Sequence, residues 1–204
     1  MARTQAGLLS LGTTGSFAGS MVFVQAKSGT VIRQHVIPSN PRSPAQTGTR
    51  SLMSWASKEW AQLTTLEQST WANAVQKAGE SPFNAFTRAA ANLWKNGLFP
   101  QSEFPTVTEA APDAPTGLAA AVSGKQITLS WTDPAARVFG VAIHQSADGV
   151  VTPAPSNAVK VVDAGVETTI VNVTAPGTYH FKARAGSHEG IFGAATADLE
   201  VEVS

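Results

Sequence analysis

At 204 residues, 43% of them hydrophobic, the chain is long enough for two modest domains, and the absence of cysteine excludes disulfide staples, thiol catalysis and cysteine-built metal centres. Its formal net charge is zero, but residues 1–104 hold nine Lys/Arg against four Glu, whereas residues 105–204 hold five Lys/Arg against ten Asp/Glu. Charged residues make up only 14%, well below the usual ~25%, so the surface is suited to meeting protein as much as water.

In chain order, residues 1–19 read as an extended arm rich in Gly and Thr, with Leu8, Leu9 and Leu11 as its large aliphatic residues. Alone it cannot bury enough to offset its ordering entropy, so it is expected to dock on a neighbouring subunit or stay mobile. The Leu8–Phe23 stretch comes nearest to an apolar span, but Gly, Ser and Thr break it throughout, and neither a signal peptide nor an anchor is expected. Met21–Ala26 and Thr30–Ile37, joined by Lys27-Ser28-Gly29, predict a β-hairpin that Pro38 ends, since proline cannot donate to a ladder.

Three helix starts follow. Ser43-Pro44-Ala45-Gln46 reads as a capping box, with Ser43 as N-cap and Gln46 reaching back, for a helix over 44–62. Thr64-Thr65-Leu66-Glu67 repeats the pattern, and Trp71, Ala74, Val75 and Ala78 continue it at helical spacing to Gly79. Ser81-Pro82 opens a third helix, closed by Asn96-Gly97. With the hairpin these make a base domain over 20–98, in which Trp55, Trp71 and Trp94 are core residues; a stacking or sugar-binding platform is the alternative for the tryptophans. Residues 99–115 carry prolines without a period and read as a linker. From 116 to 204 the text is strand and turn: "KQITLSWTD" puts Ile127, Leu129 and Trp131 on one face, and five more short strands follow. The fold class expected is therefore α+β and multidomain, with residues 112–204 folding alone as a helix-free unit.

No nucleotide loop, nucleophile elbow or metal-ligand spacing occurs. His35, His144, His180 and His188 are read as surface or cross-strand residues with no carboxylate spaced to orient His180 or His188. Asp198, Glu200 and Glu202 form a row on an edge strand, the usual guard against unwanted strand pairing. Neither catalysis, cofactor nor metal is expected. Arg33, Arg42 and Arg50 are too sparse for a nucleic-acid surface and are assigned to pairing with an acidic partner subunit.

Two stretches carry family resemblances. "APTGLAA", Trp131 and "TAPGTYHFKARA" resemble a fibronectin type III or related immunoglobulin-like domain, which implies a β-sandwich and makes Tyr179 the tyrosine-corner residue, its hydroxyl bonding back to the preceding turn. Asn40, Pro41, Arg42, Ser43, Ala45, Gln46 and Arg50, followed by Leu63, Thr64, Glu67 and Trp71, resemble a family of small proteins encoded in tailed bacteriophages and prophages. That resemblance implies a virion structural protein, assembled in the host cytoplasm and oligomeric on the particle. A capsid decoration or accessory role is expected, with capsid, neck or tail subunits as partners. The alternatives are a neck or tail accessory protein and a host-surface or glycan adhesion protein.

Overall fold

The computed structural model describes residues 15–17, 21–26, 29–36, 42–106 and 110–204, and the chain divides into two compact units, residues 1–41 and Arg42–Ser204. The first is a three-stranded antiparallel sheet in the order β1 (Gly15–Phe17), β2 (Met21–Ala26), β3 (Gly29–Gln34). β2 and β3 are the expected hairpin. β1 departs from the expected arm: it pairs Ser16 with Val22 and so satisfies backbone groups that the hairpin alone would leave open along β2. Leu8, Leu9, Leu11 and Pro38 lie outside the described residues.

The second unit opens with α1 (Pro44–Gln62), whose buried residues Gly48, Leu52, Trp55, Ala56 and Glu59 recur at the spacing of one helix face. Its Ser43 start is not the capping box expected. The Ser43 side chain makes no cap hydrogen bond; its carbonyl instead accepts from the Thr47 amide at 2.9 Å and hydroxyl at 3.0 Å. Pro44 at the first helical position has no amide hydrogen, so the first turn has one fewer open donor. The full capping box stands at α2 (Thr65–Thr70), where Thr64 accepts from the Glu67 amide and Glu67 accepts from the Thr64 amide at 2.7 Å. α2 is shorter than its sequence pattern, passing into a 3-10 turn at Trp71–Ala74, which drops Trp71 into the core. α3 (Pro82–Lys95) is capped by the Ser81 hydroxyl, and Gly97 follows it at a φ of 74° that only glycine adopts without strain.

Eight strands complete the unit. β4 (Thr116–Ser123), β5 (Gln126–Thr132) and β8 (Thr168–Asn172) form one antiparallel sheet. The other runs β10 (Phe192–Ala195), β9 (Gly177–Gly186), β6 (Gly140–Ser146), β7 (Ala158–Asp163), with β11 (Leu199–Val203) also on β9. The inner faces enclose one core, including Ile127, Leu129, Trp131, Val141, Ile143, Tyr179 and Phe181. The outward residues of β5 and β8 (Gln126, Thr128, Ser130, Thr132, Thr168, Ile170, Asn172) are exposed, and β4, β5 and β8 contain no ionisable side chain.

The helices lie on the outer face of the second sheet and make a second core with it, so the helical part of the expected 20–98 base, residues 42–98, is not a domain separate from 116–204, while its hairpin belongs to the first unit. Leu52, Trp55, Trp71, Phe86 and Trp94 share a cluster with Phe139, Ala142, Ala158 and Val161. α1 meets β7 closely: a Cβ on Gly48 would lie 2.2 Å from the Ala158 carbonyl oxygen. Ser51 adds a side-chain rung, accepting from the Val161 amide at 2.8 Å and donating to its carbonyl at 3.3 Å. Nor is 99–115 a free linker. Phe99 is fully buried on Gly140 and Gly186, which face each other across β6 and β9; a Cβ on Gly186 would lie 2.1 Å from its ring. The Phe99 and Ser102 amides donate to the Gly190 and His188 carbonyls, tying the segment to the sandwich.

Candidate functional site

The residues assigned to a partner fall in both units. Arg33 is exposed on β3 of the first. In the second, Arg42, just before α1, and Arg50, in its first half, are exposed and line two adjoining grooves beside β7, which share Thr47, Val159 and Lys160. Lys58 joins Arg50 in one groove with Asp163; Tyr179 joins Arg42 in the other. Arg42 holds a φ of 51°, a left-handed conformation uncommon for a residue with a side chain.

The structural residues are placed as follows. Trp55 packs edge-on against Phe99 and Phe139, both at 5.1 Å, and the Trp71 indole donates to the Ser102 carbonyl at 2.9 Å. In the sandwich, the Trp131 indole donates to Asp133 at 2.7 Å and the Tyr179 hydroxyl to the Ala175 carbonyl at 2.8 Å. Gln46 is exposed.

Two polar groups are buried where the sequence shows no chemical motif. Glu59, on the covered face of α1, is 6% exposed and hydrogen-bonds Asp163 at the end of β7. Burial, and then the neighbouring carboxylate, push Glu59 up to about 8, so at neutral pH the pair holds a proton between two acids. The pair opens onto a shallow surface with His188, whose ring stacks on Phe139 at 4.5 Å. The i, i+3, i+4 spacing of Glu59 from Trp55 and Ala56 was the available signal.

His144 is the second. It was read as a surface or cross-strand residue, but its place on the outer face of β6, beneath the helices, leaves it 2% exposed. Its Nδ1 lies 3.0 Å from Asn157 Oδ1 and 3.2 Å from the Ala154 carbonyl; its Nε2 has no partner. Burial holds it at about 4, so the ring is neutral. The Trp94 indole nitrogen is also buried and unpartnered, and both residues line one small cavity with Arg184 and Phe192. Arg184 lies over the Phe192 ring at 4.5 Å and donates to the Gly193 carbonyl at 3.0 Å. His180 also corrects the sequence reading, since Asp198 accepts from its Nδ1 at 2.7 Å and is taken out of the acidic row.

No protein-family model matches the sequence, and no curated protein matches it. Among solved structures, the chain is similar to the spore cortex lytic enzyme SleM of Clostridium perfringens at 15% identity and a TM-score of 0.37, over 50% of this chain and 31% of that one. It is similar to the chicken CNTN1 FN1–FN3 domains at 20% identity and a TM-score of 0.41, over 48% and 34% of the two chains. A β-1,2-glucanase from Parabacteroides distasonis matches at 14% identity and a TM-score of 0.41, over 50% of this chain and 14% of that one. The chain thus spans about a third or less of each, and likenesses at these values bear on neither activity nor partners.

Proposed function

We propose that the protein is a non-enzymatic structural component of a tailed-bacteriophage virion, a capsid decoration or accessory protein. Residues 1–41 attach to neighbouring virion subunits, and Arg42–Ser204 is the body they carry, built on a fibronectin type III-like sandwich. The observation that carries this reading is the surface of the first unit. Met21, Val24, Val31 and Ile32, on a sheet of three short strands, and Val36, just past its last strand, are 38–71% exposed. A ribbon of this size is marginal in water until another element covers its apolar side chains, and a neighbouring subunit is the cover this reading supplies. The "NPRSPAQ" resemblance supports the phage assignment, and the two antiparallel sheets with the Tyr179–Ala175 bond support the fibronectin-like one.

The test compares the full chain with one lacking residues 1–41 in particles assembled from the genome that encodes it, counting copies per particle by mass spectrometry. The truncated body should fold but be incorporated at least ~10-fold less, because losing burial of two such aliphatic side chains forfeits more than the ~1.4 kcal/mol that tenfold binding requires. Equal incorporation, or absence of the intact chain from particles, overturns the reading.

A further inference from the structure

The unpartnered nitrogens of His144 and Trp94 are chemically complementary. Both groups near His144 Nδ1 are acceptors: the Ala154 carbonyl, and Asn157 Oδ1, whose identity is fixed because it accepts the Ala154 amide at 2.9 Å while Nδ2 donates to Thr152 at 2.7 Å. Nδ1 must therefore carry the hydrogen, and a neutral ring leaves Nε2 as a bare lone pair. The Trp94 indole can only donate. One buried acceptor and one buried donor thus line the same cavity, of about 30 Å³. Its rim, with Pro153, Pro155, Phe192 and Arg184, is part-exposed.

We propose that this cavity is a hydroxyl-binding site, holding one oxygen that accepts the Trp94 indole hydrogen and donates its own hydrogen to His144 Nε2. Only a group that both donates and accepts satisfies the two. A carboxylate or carbonyl has no hydrogen for His144. A metal ion or an ammonium would face the Trp94 N–H and the Arg184 guanidinium. The volume suits one water-sized group, for which roughly 10–15 Å³ is needed, and is too small for a ring. The oxygen has two possible sources: water, or the hydroxyl of a polyol or saccharide whose carbon frame stays against the proline rim. The inference stands independently of the virion reading.

Nuclear magnetic resonance on the full ¹⁵N-labelled chain tests it. At pH 7 the His144 nitrogen shifts should place the hydrogen on Nδ1, the minority tautomer of free histidine. In buffer alone, the water source predicts magnetisation transfer from a long-lived water to the Trp94 indole hydrogen. Titration with methyl α-D-glucopyranoside tests the saccharide source: the Trp94 indole and His144 Nε2 signals should move saturably and the water transfer should disappear, with sodium acetate producing neither. W94F, which keeps the ring but removes the donor, should then weaken the saccharide about tenfold, the scale of one hydrogen bond left unmatched. A hydrogen on Nε2, or a Trp94 indole in contact with neither water nor saccharide, overturns the site.

Discussion

The two cores of Arg42–Ser204 are built by different rules. Inside the sandwich, large residues alternate with polar ones along each strand, as Ile127, Leu129 and Trp131 do between Gln126, Thr128, Ser130 and Thr132. Between helices and sheet, the strands contribute mainly small residues, Gly140, Ala142, Ala158 and Gly186, and the bulk comes from Trp55, Phe99 and Trp94. β6 serves both and is buried along Gly140–His144 without alternation. A strand covered on both faces thus shows itself by a lost period, and a face reserved for aromatic side chains by glycine and alanine.

The largest expected break in this comparison is at the second core. Phe99→Ala should cost about 3–5 kcal/mol, the range for truncating a fully buried phenylalanine, and should lower helix and sandwich melting together in one transition followed by far- and near-ultraviolet circular dichroism. Separate transitions would restore the linker reading of 99–115. For the same reason the 112–204 fragment, which lacks the helices, is expected to bind a hydrophobic dye through Phe139, Ala142, Ala158 and Val161, contrary to the self-sufficient unit its strand pattern implies.

Next comes the acid pair. Glu59 keeps its proton in the folded chain up to about pH 8 but in the unfolded chain only up to its ordinary 4.5, so its contribution is whole below pH 4.5 and lost as pH rises through 8. Glu59→Gln should remove that alkaline loss, on the order of 2 kcal/mol between pH 6 and pH 9 by urea denaturation, since a buried carboxylate without compensation costs that much. His144 works in the opposite direction: its burial pushes it from 6.5 to about 4, so stability present above pH 6.5 falls as pH drops toward 4. An unchanged alkaline limb in Glu59→Gln would show that the pair does not share a proton.

Smaller effects separate local devices, in the sandwich and at the helix starts, from their sequence signatures. Tyr179→Phe should cost about 1–2 kcal/mol by leaving the Ala175 carbonyl without its donor. Thr64→Ala should cost about 1 kcal/mol, and Ser43→Ala only a few tenths, because one side chain caps its helix and the other does not. Equal losses at the two positions would mean that Ser43 caps α1 in solution.

The β2–β3 hairpin, strands β5 to β9 and β11, the extent of α1 and α3 and the Thr64 box were legible because each rests on local pattern, whereas β1, β4 and β10, short or poor in large apolar residues, were not. The closure of α1 onto β7 was not, since it depends on Gly48 meeting Ala158 and on Ser51 replacing a neighbouring strand. Phe99 was hidden by the prolines after it, which erase any period, while its receptor, Gly140 with Gly186, lies far along the chain. His144 and Trp94 were visible only as a strand histidine and a core tryptophan. That both end with an open nitrogen follows from which face of β6 the helices cover.

The β4–β5–β8 sheet, with no ionisable residue in its three strands, has a consequence for how the molecule responds to its medium. Protons and salt act through groups that carry or change charge, and here those groups sit on the other sheet, the helices and the loops. Arg42–Ser204 is electrically lopsided: one sheet is inert from mild acid to mild base, and the other, with the helix and loop packed on it, carries Glu59, Asp163, His144 and the His180–Asp198 pair. Hydrogen-exchange protection factors in β5, corrected for the intrinsic pH dependence of amide exchange, should therefore follow pH and ionic strength only through opening of the whole unit, whereas those in β6 and β7 should also respond locally, which makes the inert wall an internal reference for the titrating one.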